Sequence, residues 1–218
     1  MGILAPSILA ADFKNLEQQI KLVENGGADW IHCDIMDGHF VPNITFGPLV
    51  VESAKRSTNL PLDVHLMIEN PDKFLPDFIN AGADYVSVHV EEVVHLNEVL
   101  NKIKELGVKA GVVLNPSTPV SSVKEVAGKI DLLLIMTVYA GFGGQEFIPN
   151  SLQRIKEAVD LRKESGGDFL IEIDGGINAE TAQQAFQAGA EVFVAGTSIF
   201  NADDITEAVR EIKSVISK

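Results

Sequence analysis

Cysteine is all but missing from this chain of 218 residues, in which Cys33 stands alone. One thiol excludes an internal disulfide and a cysteine-built zinc cluster, and suits a reducing compartment such as the cytoplasm. Positive charge is scarce too: 17 Lys and Arg face 31 Asp and Glu, the formal charge is -14, and no basic run is longer than the pair Lys55-Arg56. Phosphate backbones are held by clustered basic side chains, so no nucleic-acid partner is expected and the acidity reads as a solvated outer surface. Long apolar runs are absent as well. The opening MGILAPSILAADF is apolar for only about ten residues and has no basic flank, which fits neither a signal peptide nor a membrane span. No membrane partner is expected, and the stretch reads as a first strand. Nor is there a Pro/Ser-rich linker, so residues 1–218 are expected to fold as a single domain.

What is present is alternation. Short aliphatic runs at about residues 3–8, 29–35, 61–67, 84–89, 108–114, 131–138, 169–174 and 191–196 read as strands. GVVLN and DLLLIMTV are continuously apolar, as in parallel strands covered on both faces. Amphipathic segments lie between them, with stripes such as Leu16, Ile20, Val23, then Leu96, Leu100, Ile103, then Ile205, Val209, Ile212, Ile216. Asp12, Asn70-Pro71, Asn178 and Asp203 occupy plausible cap positions. ENGGADWIHCD, NAGADYVSVHV and QAGAEVFVAGT repeat one pattern of helix end, glycine, alanine, acid and strand. Eight such units without a leftover segment predict an α/β fold, a single-domain (β/α)8 TIM barrel, with its chemistry at the carboxyl ends of the strands.

Polar residues gather at those ends. HCDIMDGHFVPN carries His32 and Asp34 two apart, so that on a strand both leave one face while Cys33 points to the helices. Strand three adds His65 and strand seven Asp174. A lone buried histidine is ordinarily a hydrogen-bonded core residue, but His32, Asp34, His65 and Asp174 converging from three strands make a ligand set for one divalent metal ion, whether zinc, iron(II), manganese or cobalt. His39, His89 and His95 are not assigned to metal. Glycines Gly141, Gly143 and Gly144 in loop six, with Phe142 between them, Gly175 and Gly176 after strand seven, and Gly196 with Thr197 after strand eight suit a phosphate held by backbone amides. Residues 137–153 and 172–208 contain no Lys or Arg, so no side-chain cation is available there. Met36, Met67 and Met136 at strand ends would line the pocket with aprotic sulfur.

These residues resemble the ribulose-phosphate 3-epimerase family from end to end. The matching pieces are APSILAAD at 5–12, HCDIMDGHFVPNITFGP at 32–48, DVHLMI at 63–68, MTV and GFGGQ within 136–145, and EIDGGI at 172–177. The resemblance implies a barrel of the ribulose-phosphate-binding type holding one metal through His32, Asp34, His65 and Asp174. It also implies acid/base roles for Asp34 and Asp174, with Ser7, His65 and the glycine loops contacting a small sugar phosphate, a homo-oligomeric state and a cytoplasmic location. Inverting a carbon beside a carbonyl needs a proton to leave one face and return to the other, which calls for two acid/base groups. Asp37 through Asn43 read as a loop over the substrate.

Two departures from the family pattern stand out. Tyr139-Ala140 replaces an acidic or amide residue followed by proline, which should loosen loop six, and Thr197 replaces serine. A hexulose-phosphate 3-epimerase, converting allulose 6-phosphate to fructose 6-phosphate, shares the same core and stays open beside the pentulose reading. A barrel lyase would be expected to place a lysine at a strand end, and none is there; a non-catalytic sugar-phosphate binder would not need two aspartates around a metal.

Overall fold

A computed structural model describes residues 1–217. Eight parallel strands form one sheet: β1 (Ile3–Pro6), β2 (Ile31–Met36), β3 (Leu62–Met67), β4 (Tyr85–His89), β5 (Lys109–Leu114), β6 (Leu132–Met136), β7 (Leu170–Asp174) and β8 (Val192–Ala195). The ladder runs from β2 through β3 to β8 and on to β1. Between β1 and β2 the ring is drawn shut by the Ser7–His32 bridge and by Asp29 and Trp30 amides donating to the Leu4 carbonyl at 2.9 and 3.2 Å. The (β/α)8 barrel expected from the alternation is the fold. Among the described residues no helix is long and apolar enough to cross a membrane.

The helices are α1 (Leu16–Gly26), α2 (Pro48–Ser57), α3 (Leu75–Asn80), α4 (Leu96–Glu105), α5 (Ser151–Ser165), α6 (Ala179–Ala188), α7 (Thr197–Phe200) and α8 (Ile205–Val215). Their apolar stripes are buried against the outward side chains of the strands, so Ile20, Val23, Leu100, Ile103, Val209 and Ile212 share one core with Cys33, Ile35, Val64 and Leu66. One connection departs from the expected pattern. Between β5 and β6 the chain forms a 3-10 helix, Val120–Val126, instead of an α-helix. Its buried residues Val120, Val123 and Val126 recur every three positions, the period of that tighter helix. Three caps also differ: α8 is capped by Asp204, one residue past Asp203, Asp12 caps a 3-10 turn ahead of α1, and Asn70, before the 3-10 turn Pro71–Lys73, makes no side-chain capping bond.

The amino end of the barrel is plugged. Ala5, Trp30, Leu132, Val192 and Val194 fill it, with the Trp30 and Tyr85 rings 4.4 Å apart.

The glycine-alanine-acid repeat has a structural meaning at the plugged end. Each acid stands just ahead of an even-numbered strand and accepts from a backbone amide at the start of the preceding odd-numbered one. Asp29 takes Leu4 N at 2.7 Å, Asp84 takes Leu62 N at 2.8 Å, and Glu191 takes Ile171 N at 3.1 Å. Asp131, outside the recognisable repeat, takes Ala110 N at 3.0 Å. A base meets each acid: Lys213 at 2.6 Å, Lys55 at 2.7 Å, Arg162 at 2.5 Å and Lys104 at 3.2 Å. Each clamp thus joins two strands and a helix. Truncating Asp29 leaves the Leu4 amide without its acceptor, which costs about 1–3 kcal/mol. Asp29→Ala should lower the urea midpoint accordingly, and Asp29→Asn, which keeps an acceptor oxygen, should lower it less.

Candidate active site

Alternation along β2 and β3 turns His32, Asp34 and Met36, with Asp63, His65 and Met67, into the barrel, and β7 contributes Glu172 and Asp174. Donor atoms of His32, Asp34, His65 and Asp174 all lie within 4.8 Å of one another. The structure therefore brings together the four residues read as a ligand set. Asp34 is the hub: Ser7 Oγ donates to its Oδ2 at 2.6 Å, while His65 Nδ1 and His32 Nε2 lie 3.1 and 3.3 Å from its Oδ1. Below it, His32 Nδ1 is 2.5 Å from Asp63 Oδ2. A carboxylate there keeps a hydrogen on Nδ1, so that Nε2 is the nitrogen facing the site.

Burial and charge treat the two aspartates differently. Burial alone would raise Asp34, but the His32 imidazole beside it holds it far below the ordinary carboxylate range. Asp174 is pushed up to about 8, first by burial and then by the charge on Asp34. One carboxylate is thereby biased towards the ionised form and its neighbour towards the protonated form, the division expected of an acid/base pair. His32 is raised well above its usual value, because Asp34 and Asp63 outweigh the opposing effect of burial. Glu172 is raised by burial and by Asp63. Cys33, facing the helices, is pushed up to about 12 by burial and is no nucleophile at neutral pH.

The donor set fits a divalent cation. It offers two imidazoles and two carboxylates and no thiolate, and the cavity above it is lined by no lysine or arginine. Asp63 Oδ1 and both oxygens of Glu172 are buried without a hydrogen-bond partner among the described residues, which leaves acidic oxygens unsatisfied beneath a site that has no lysine or arginine in its lining. Asp63 and Glu172 were not singled out by sequence reasoning; their strand parity, two before His65 and two before Asp174, was the available signal.

A cavity of about 310 Å³ rises from this floor. Ser7, Met36, Met67 and Met136 line its lower walls, while Gly141, Phe142, Gly143, Gly144, Gly175, Gly176, Gly196 and Thr197 line the mouth. His32 and His65 lie beneath it, fully buried. Gly175 has φ +117° and a Cβ there would fall 2.3 Å from Val138 Cγ2, so no side chain fits. Asn43 also reaches the cavity, and its Nδ2 donates to the Gly141 carbonyl at 2.8 Å, tying the loop after β2 to loop six. Gln145 Nε2 donates to the Tyr139 and Phe142 carbonyls at 2.7 and 2.8 Å, bracing a loop whose Tyr139 and Phe142 side chains stand exposed on the rim. His39 is an exposed loop residue and His95 precedes α4, both away from the floor.

Fold and site together define a (β/α)8 barrel enzyme with its polar chemistry gathered under glycine-rich loops at the carboxyl end. Residues 3–200 match the ribulose-phosphate 3 epimerase family, and the chain belongs to that family, hence among the epimerases and, by reaction class, the isomerases. A ribulose-phosphate 3-epimerase from Bacillus subtilis (strain 168) is 56% identical over 211 residues, covering 96% of this chain and 97% of the relative. One from Escherichia coli (strain K12) is 42% identical over 217 residues, covering 99% and 96%. Among solved structures, KGPDC from Streptococcus mutans superposes with a TM-score of 0.76 at 14% identity over 100% of this chain and 98% of the other. The alpha subunit of tryptophan synthase from Legionella pneumophila gives 0.66 at 16% identity over 99% and 93%. Likeness at such low identity speaks to the fold alone.

Because Asp174 holds its proton in the fold up to about pH 8, the folded state carries more proton than the unfolded chain between the ordinary carboxylate range and that value. Its contribution to stability is full at acid pH and is lost as pH rises towards 8. In chelator-treated protein the urea midpoint should fall over this window, and Asp174→Asn should remove part of the slope; identical slopes would contradict the assignment.

Proposed function

We propose that the protein interconverts D-ribulose 5-phosphate and D-xylulose 5-phosphate by moving a proton at C3 through an enediolate. The observation that carries this reading is the opposed bias of Asp34 and Asp174 on one cavity floor. Asp34, ionised and oriented by Ser7 Oγ, takes the C3 proton of ribulose 5-phosphate; Asp174 delivers one to the other face, and the roles exchange in reverse. The three methionines surround the reacting carbon with side chains that neither donate nor accept protons. The phosphate sits among the amides after β7 and β8 and in loop six.

His32, Asp34, His65 and Asp174 would hold one divalent metal ion, zinc, iron(II), manganese or cobalt. When bound, such an ion offsets the carboxylates and stabilises negative charge developing on the enediolate oxygens. The names of the relatives support the pentulose substrate. A second reading, allulose 6-phosphate to fructose 6-phosphate, draws on Ala140, a small residue packed beside Val41 and the Met36–Met67 pair where the loop meets the cavity. A homo-oligomeric state and a cytoplasmic location complete the proposal.

The test is turnover of ribulose 5-phosphate in deuterated water, with parallel assays on allulose 6-phosphate. We expect label at C3 and a clear preference for the pentulose. Asp34→Asn and Asp174→Asn should each lower kcat by about 10²–10⁴. Near-normal turnover in Asp174→Asn would sink the two-base scheme, and preference for the hexulose would replace the substrate.

A further inference from the structure

A second polar line leaves the site through β4 and reaches the rim. His65 Nε2 lies 2.8 Å from His89 Nε2, and the two rings stack with centroids 5.0 Å apart. His89 Nδ1 lies 3.1 Å from Glu91 Oε2. Glu91 is itself gripped, because Asn115 N donates to its Oε1 at 2.9 Å and the Thr118 hydroxyl donates to the same oxygen. Buried Arg154, on α5, holds that grip in place by donating to the Asn115 and Thr118 carbonyls, each at 2.9 Å, and to the Met136 carbonyl at 3.1 Å. Phe40, from the loop after β2, packs on the His89 ring at 4.6 Å.

The direction of these contacts fixes hydrogens. A carboxylate that already receives an amide and a hydroxyl can only accept, so His89 carries its hydrogen on Nδ1. The side-chain amide of Asn115, 3.3 Å from that nitrogen, completes the arrangement with its oxygen turned inward, a half-turn of a group whose two ends are alike in shape. His89 Nε2 is then a lone pair, and the facing His65 Nε2 must supply the one hydrogen between them. His65 Nδ1 is left as a lone pair turned to the Asp34 carboxylate at 3.1 Å, two acceptors that a cation between them satisfies.

We propose that Glu91 is a positioning residue: acting through His89, it keeps the hydrogen of His65 on Nε2 and reserves Nδ1 for a divalent cation. The inference rests on the metal reading given above and assigns a cause to its geometry. Glu91→Gln puts an amide where the carboxylate was. Its NH2 can donate to His89 Nδ1, which moves the His89 hydrogen to Nε2 and sets it against His65.

The experiment uses full-length, chelator-treated protein labelled with nitrogen-15, whose histidine ring correlations report tautomers without any metal. In the wild type, His65 should carry hydrogen on Nε2 and His89 on Nδ1, and Glu91→Gln should abolish that pattern. Affinity for Co²⁺, followed by competition with a chelating dye, should fall about 10- to 100-fold in the variant. A wild-type His65 with hydrogen on Nδ1 overturns the proposal whether or not the variant folds. So does a Glu91→Gln protein that melts at lower temperature yet keeps wild-type tautomers and Co²⁺ affinity, the signature of a merely structural residue. Wild-type protein with no Co²⁺ uptake overturns the metal reading and this inference together, whereas equal uptake by wild type and variant overturns the inference alone.

Discussion

Asp34, Asp63, Glu172 and Asp174 share the inside of one barrel, and a carboxylate so enclosed is costly unless it is paired, protonated or bound to a cation. Much of the neighbourhood answers that constraint. His32 stands between Asp34 and Asp63, Ser7 and His65 turn towards Asp34, and Glu172 and Asp174 are driven towards their neutral forms. The same concentration of acidic groups that would destabilise an ordinary core could hold a divalent ion, and it biases Asp34 towards the ionised form and Asp174 towards the protonated one.

That arrangement depends on a rigid support. The Trp30–Tyr85 plug closes the amino end, and the four acid clamps tie strand starts to helices there. Stability is concentrated at one end, and the loops that meet a ligand extend from the other. Loop six is nevertheless held by Asn43 and braced by Gln145, so the mouth is shaped before anything enters it.

Much of this was legible in the residues. Strand parity placed His32, Asp34, His65 and Asp174 on inward faces, and the repeated apolar runs announced the barrel, because both are local patterns with fixed periods. The 3-10 helix at Val120–Val126 was less legible, since an apolar period of three is readily taken for one of 3.6 over so short a span. Asp63 and Glu172 were signalled by parity alone, two before His65 and two before Asp174. Glu91 and Arg154 were missed for another reason: the groups of Asn115 and Thr118 that each meets lie far away in sequence, and no spacing records such a meeting. Arg154 also lies one residue past the stretch noted for having no positive charge.

The acid clamps carry one more implication. In each, the base stands on or beside the helix that precedes the odd-numbered strand: Lys55 on α2, Lys104 on α4, Arg162 on α5. For β1 the place is taken by Lys213 of α8. The molecule is thus cyclic in its interactions although linear in its covalent bonds, four quarter-turns of one motif, with the chain's opening falling inside a quarter whose halves find each other across 184 positions. Joining the ends and reopening the chain between any two quarters would preserve all four clamps, so the order in which the genetic text is read is not the order on which the architecture depends.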